Sequence, residues 1–307
     1  MSVYVVGHKS PDTDSVASAI AYAELKKAMG VKAVPAMQGE ANPETAMVLK
    51  KFGFATPEVL MDGAGKKLIL VDHSDIAQAP DNLAKAEVVE VVDHHKIGDI
   101  TTNNPIFFCA QPVGCTCTVI KQLFEINKVA IPKNVAGIML SAILSDTVLF
   151  KSPTTTDADK AACEGLAKIA GVNDMNAWAM EMFKAKSAVE GVPARDLVFR
   201  DYKDFDMNGT KVGIGQLELV DLTLIDGVRD DLYAACQQIK KEKGNHSVFL
   251  ILTDIMKEGS DLMAVTDDPS VVEKAFGKKL TGKCVWIDGM MSRKKQAVPP
   301  LQKVFGA

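Results

Sequence analysis

Residues 87–96 read EVVEVVDHHK, an apolar run of strand character that stops at Asp93-His94-His95. A polar turn at the end of a strand accounts for that stretch by itself. Three other segments repeat the arrangement, and that changes its meaning. VYVV at 3–6 runs into GHKSPDTDS with His8, Asp12 and Asp14, KKLILVD at 66–72 stops at Asp72, and the helical NVAGIMLSAILSD stops at Asp146. Four of the five histidines, His8, His73, His94 and His95, fall in the three acidic strand ends, which scattered residues rarely do.

Between these runs lie helical stretches, SVASAIAYAELKKAMG at 15–30 first among them, giving the alternation of parallel βαβ units. VKAVPAM at 31–37 reads as a further strand that Pro35 weakens or marks as an edge. Open parallel sheets bind ligands outside the carboxyl ends of their strands, so groups distant in sequence can converge there. Helical periodicity continues through TCTVIKQLFEIN, then around 157–170 and 174–188. At SAVEGVPARD, residues 187–196, Gly191 and Pro193 break the pattern.

Beyond that break the pattern predicts strands at 198–206 and 211–219, a helix at 228–242, strands at 247–253 and 261–266, a short helix at 270–276 and a strand at 283–287. The fold class is therefore α/β: an N-terminal domain with a mainly parallel sheet flanked by helices, and a smaller α/β C-terminal domain with a mixed sheet. The expected division is 1–188 as a metal-binding domain, 189–194 as a hinge, and 195–307 as a substrate-binding domain.

Composition narrows the functions further. With 307 residues, 47% of them hydrophobic and 24% charged, the chain has an ordinary globular make-up with room for two domains. A net charge of −4 gives no electrostatic footprint for nucleic acid. No secretory leader opens the sequence and no apolar run reaches about 18 residues, so a cytoplasmic protein without membrane segments is expected. The six cysteines lack C-x-x-C spacing and sit in apolar stretches, as buried reduced thiols do.

The chemistry of the converging groups is restrictive. Crowded carboxylates repel one another and take up protons unless a cation neutralises them. Mixed imidazole and carboxylate donors suit manganese, iron, cobalt or zinc better than magnesium or calcium. Asp12 and Asp14, two apart ahead of a helix, can each reach one of two metals, although an Asp there also serves as a helix N-cap.

GHKSPDTDS, LVDHS, VVDHHK, LSDTVLFKSPT and SRKKQ together, in this order, resemble the family II inorganic pyrophosphatases of the DHH phosphoesterase superfamily. The resemblance implies hydrolysis of pyrophosphate to two phosphates by a metal-bridged hydroxide in an interdomain cleft. It implies His8, Asp12 and Asp72 as ligands of one metal and Asp14, Asp72, His94 and Asp146 as ligands of a second, with Asp72 shared. His95, Asp72 and Asp14 become the catalytic residues, and His95, Lys203, Arg293 and Lys294 the groups that grip substrate. Two Mn²⁺ per subunit, with Co²⁺ as a substitute and Mg²⁺ arriving with the substrate, and a homodimer complete the expectation.

Ser10 stands where the family more often has Asn, and no regulatory domain fits between Asp72 and His94. Relatives that act on nucleic acids or dinucleotides tend to carry a glycine-rich motif near the C-terminus, where this chain has SRKKQ. Asp93 is expected to orient a neighbouring histidine or simply to close the turn, and His73 stands in the same position.

Overall fold

The computed structural model describes residues 2–189 and 191–306, and the chain divides into two compact units, Met1–Ala185 and Lys186–Ala307. Glu190, inside the expected hinge, lies outside the described residues.

The first unit runs β1 (Val3–Lys9), α1 (Thr13–Ala28), β2 (Ala33–Gln38), α2 (Pro43–Lys51), β3 (Glu58–Val59), β4 (Lys67–Val71), β5 (Glu87–Asp93), β6 (Phe107–Ala110), α3 (Thr116–Ile126), α4 (Lys133–Asp146), α5 (Asp157–Ala170) and α6 (Met175–Lys186). Its six strands lie in the order β3-β2-β1-β4-β5-β6, and every pairing is parallel. From β1 the chain winds outward one way, and from β4 it winds outward the other way. The order thus reverses between β1 and β4, and their carboxyl ends flank the crevice that such a reversal opens. His8 ends β1, and Asp72 follows β4 directly.

Strand interiors supply the core: Val5, Val6, Leu68, Leu70, Val71, Val91 and Val92 are fully buried. Helix α1 packs on β1 and β2, α3 on β5, and α4 against α1, α3 and α5. From Val135 to Ser145 every residue of α4 is buried, and Gly137 makes this possible where a Cβ would lie 2.1 Å from the Phe52 ring. Pro35 is tolerated in β2 because β3 pairs only with Ala36 and Met37, so no outer neighbour is registered at the proline.

The second unit runs α7 (Ala194–Phe199), β7 (Tyr202–Met207), β8 (Thr210–Leu219), α8 (Arg229–Lys243), β9 (Ser247–Asp254), β10 (Gly259–Thr266), α9 (Ser270–Phe276), β11 (Cys284–Asp288) and α10 (Val298–Phe305). Its five strands are ordered β11-β10-β9-β8-β7, with β8 and β9 parallel and the other pairs antiparallel. All eight residues of β9 are buried. One face packs Leu250 and Leu252 with Leu197 and Leu232, the other packs Phe249 and Ile251 with Val272 and Leu301.

The expected strand at 198–206 is a correction. A helix covers Ala194–Phe199 and the strand starts only at Tyr202, because Leu197 and Val198 are wanted as one buried helical face after Pro193 fixes the turn. Helices α2 and α10 and strand β6 have no counterpart in the sequence reading. Asn42 caps α2 by accepting the Thr45 N–H, with Pro43 at its first position, a start signal that was present and unused. Near the expected hinge, Arg200 donates to the carbonyls of Lys186 and Ala188, and Ser187 accepts the Val220 N–H.

Candidate metal centre

Asp72 lies at the middle of the cluster. Its backbone is left-handed, φ 62°, immediately after β4, which costs on the order of 1–2 kcal/mol for a residue with a Cβ. The buried side chains of Leu68, Ile69, Leu70 and Val71 outweigh that, at about 1.5–3 kcal/mol each. Oδ2 of Asp72 lies 3.3 Å from His8 Nε2, while Oδ1 lies 3.4 Å from His94 Nε2 and 3.6 Å from His95 Nδ1.

Around it the donor atoms fall into sets. His8, Asp12 and Asp72 bring one donor each within 4.8 Å of one another, and so do Asp14, His94 and Asp146. All six side chains proposed from the sequence as metal ligands therefore meet at one rim of the parallel sheet. Asp14 and Asp72 are buried, whereas the side chains of Asp12 and Asp146 are 48% and 22% exposed, so the cluster is open on their side.

Hydrogen bonds fix which atoms face inward. His8 Nδ1 is 2.7 Å from the Lys9 carbonyl and His94 Nδ1 is 2.9 Å from the Val113 carbonyl. An Nδ1–H donated to a carbonyl leaves Nε2 as the atom each ring turns toward the cluster, where it could serve a cation. Asp12 divides its oxygens between two tasks: Oδ1 accepts the Ser15 N–H as the cap of α1, and Oδ2 faces His8 Nε2 at 3.4 Å. Asp14 accepts the Thr116 N–H at 2.6 Å, the Cys117 N–H at 3.1 Å and the Ser18 hydroxyl at 2.9 Å.

The charges show how the cluster stands without a cation. Burial and the nearby Asp72 carboxylate push Asp14 up to about 6. Burial also opposes the charge on Asp72, but the neighbouring imidazoles of His8, His94 and His95 hold it well below the usual range. Against the same burial, His8 is raised well above its ordinary value by Asp12 and Asp72, and His8 in turn takes Asp12 down to about 2. Protons on His8 and Asp14 thus offset negative charge that bound cations would otherwise neutralise, and the nitrogen and oxygen donor set suits a borderline ion such as manganese.

Asp93 does not orient His94. Its Oδ1 accepts the backbone N–H groups of His94 and His95 and lies 2.9 Å from His95 Nδ1, so the carboxylate closes the turn and aims His95 instead. Next to Asp72, His73 is fully buried, with Nδ1 on the Val71 carbonyl, and burial lowers its pKa to about 4.

Several contributors carried no sequence signal. The Thr116 hydroxyl donates to Asp72 Oδ1 at 3.0 Å while its N–H holds Asp14, and the Val113 carbonyl acts through its backbone alone. After Asp146, Val148, Leu149 and Phe150 are all left-handed, φ 49°, 51° and 65°, and such conformations are rare for residues with bulky side chains. That turn ends α4 at Asp146 and holds strain beside the cluster. All six cysteines are free. Cys115 and Cys117 lie beside Asp14, but burial pushes both thiols up, Cys117 to about 12, and the first N–H groups of α3 point at the same carboxylate. A soft cation there would face the positive end of that helix.

Within the second unit, Arg293 is 4% exposed and donates to the Asp201 carboxylate at 2.6 Å and to the Asp201 and Ile214 carbonyls, while its Nε has no hydrogen-bond partner among the described residues. Arg293 beside it, with the charge of Lys203 and Lys294, brings the half-exposed Asp201 carboxylate below the ordinary carboxylate range. Gln216 accepts the Arg293 N–H, and Gln296 accepts the N–H groups of Met291 and Ser292, so the basic loop is fixed by two amides.

Comparison with known proteins gives a consistent result. The chain matches the DHH family, N-terminal domain, over residues 2–143 and the DHHA2 domain over residues 180–304. A probable manganese-dependent inorganic pyrophosphatase of Archaeoglobus fulgidus is 59% identical, covering 99% of this chain and 98% of its own length. A manganese-dependent inorganic pyrophosphatase of Methanothrix thermoacetophila is 50% identical over the same shares of the two chains. The crystal structure of a putative family II inorganic pyrophosphatase from Methanococcus jannaschii superposes with a TM-score of 0.88 at 44% identity, covering 99% of this chain and 100% of that one.

Proposed function

Since the chain belongs to the manganese-dependent inorganic pyrophosphatases of the DHH family, we propose that it hydrolyses pyrophosphate with two divalent ions held by His8, Asp12, Asp14, Asp72, His94 and Asp146. The observation that carries this reading is the meeting of the two donor sets at Asp72, which faces His8 through one oxygen and His94 through the other. When bound, a pair of manganese ions supplies an acidified water and positive charge for the phosphoryl oxygens.

The protein's own groups do the rest. Carbonyls of Lys9 and Val113 hold the two ligand imidazoles in the tautomer that presents Nε2. Asp93 aims His95, which lies 3.6 Å from Asp72; in this reading His95 meets the leaving phosphate. Arg293, Lys203 and Lys294 neutralise phosphate charge.

In this reading residues 1–188 carry the metals, 195–307 grip the phosphate and 189–194 join them. Manganese is the working metal, cobalt a substitute with similar ligand preference, and magnesium accompanies the substrate. The protein acts in the cytoplasm; no helix among the described residues is long and apolar enough to cross a membrane. It works as a homodimer, which the outer position of β6 supports, with Phe107 and Phe108 46% and 41% exposed.

Phosphate release from pyrophosphate, tripolyphosphate and a short oligonucleotide, each assayed after chelation and after adding Mn²⁺ back, tests the reading. Mn²⁺-dependent release confined to pyrophosphate is expected. Faster turnover of either longer substrate, or no release with any divalent ion, contradicts it.

A further inference from the structure

Asp159 is fully buried in the first turn of α5 and receives four hydrogen bonds. One, from the Thr156 N–H, belongs to the capping box of its own helix, and a second comes from the Thr156 hydroxyl. The other two cross to a distant segment: Oδ2 accepts the Gly114 N–H at 2.9 Å and Oδ1 accepts the Thr118 hydroxyl at 2.6 Å. A helix cap needs only the Thr156 N–H.

The segment held by the second pair reaches the centre directly. Between Gly114 and Thr118, Thr116 gives its N–H to Asp14 and its hydroxyl to Asp72, and Val113, one residue before, offers its carbonyl to His94 Nδ1. At Gly114 a Cβ would lie 2.7 Å from Thr147 Cγ2 and 2.8 Å from Asp159 Oδ2, so the loop is pressed between Asp159 and the residue that follows Asp146. We infer that Asp159 is a positioning residue for the metal centre, fixing residues 113–118 so that Val113 and Thr116 hold His94, Asp14 and Asp72. The inference rests on the two-ion reading above.

Calorimetric titration of Mn²⁺ into the metal-free full-length chain tests it, since affinity is read without turnover. Asp159→Ala is expected to lower affinity on the order of 10–100-fold, the usual loss when a partner of a metal ligand is removed. Asp159→Asn restores most of it, because its carbonyl oxygen can face Gly114 and Thr156 while its amide donates to the Thr118 oxygen. Thr156→Ala lowers the melting temperature and leaves Mn²⁺ affinity unchanged.

Wild-type affinity in folded Asp159→Ala overturns the inference, as does an equal loss in Thr156→Ala, which would make the effect one of helix stability. Where Asp159→Ala does not fold, Thr118→Val against Thr118→Ser decides: the valine variant must bind Mn²⁺ more weakly, and equal affinity overturns the inference. A wild-type chain that takes up no Mn²⁺ sinks the two-ion reading and this inference with it.

Discussion

Asp12 has one oxygen for each of two readings. The sequence left its carboxylate open to a helix cap or a metal ligand; one oxygen caps α1 and the other faces His8. Asn caps about as well as Asp but brings a single neutral oxygen. Asp12→Asn should therefore keep the helix cap and lose Mn²⁺-dependent phosphate release by at least about 10-fold. Asp12→Ala should lose both, with the cap worth about 1 kcal/mol; an active Asp12→Asn would show that its outer oxygen is dispensable.

Protonation at this scale gives a pH dependence. Metal-free His8 has its pKa raised, so it carries a proton near neutral pH, and Asp14 carries one up to about pH 6. Both must lose the proton to act as ligands, so Mn²⁺ binding should release protons and tighten as pH rises. Calorimetry in buffers of different ionisation enthalpy measures the release; an identical heat in each buffer would contradict it. Side chains such as His8 and Asp72 were legible because acids and imidazoles at strand ends are unusual. Val113 was not, because any residue has a carbonyl.

Among the elements, strands and amphipathic helices were legible wherever apolar periodicity ran long, as in β4, β5 and α3. The failures lie where tertiary context decides. Val198 and Phe199 look like strand residues, yet they complete α7 because Leu197 and Val198 bury a helical face. β6 is a four-residue edge strand with a largely exposed face, too short and too wet to leave a period. Gly137 tests the packing of α4. Alanine there gains roughly 1 kcal/mol of helix propensity, but its Cβ would meet Phe52, whose ring packs edge-on against Trp178. Overpacking of about 1–3 kcal/mol should win, and urea denaturation of Gly137→Ala should show a net loss of stability. A stabilised variant would mean that Phe52 is free to turn aside.

For the whole molecule, the division between acids in one unit and cations in the other was readable from where the motifs fall. The pairing of Arg293 with Asp201 was not, because it depends on how the start of β7 and the loop after β11 meet. If the two units divide the work, Arg293→Ala should raise KM or lower kcat/KM for pyrophosphate by at least about 10-fold, the loss of one charged hydrogen-bonding partner. Its Mn²⁺ affinity should stay at the wild-type value, and a matching loss of metal would refute the division. The central claim is that six side chains from four segments hold a pair of ions. Anomalous diffraction at the manganese edge from crystals grown with Mn²⁺ tests it most directly. The account predicts two maxima per chain, one among His8, Asp12 and Asp72 and one among Asp14, Asp72, His94 and Asp146; a single maximum, or ions bound elsewhere, would contradict it.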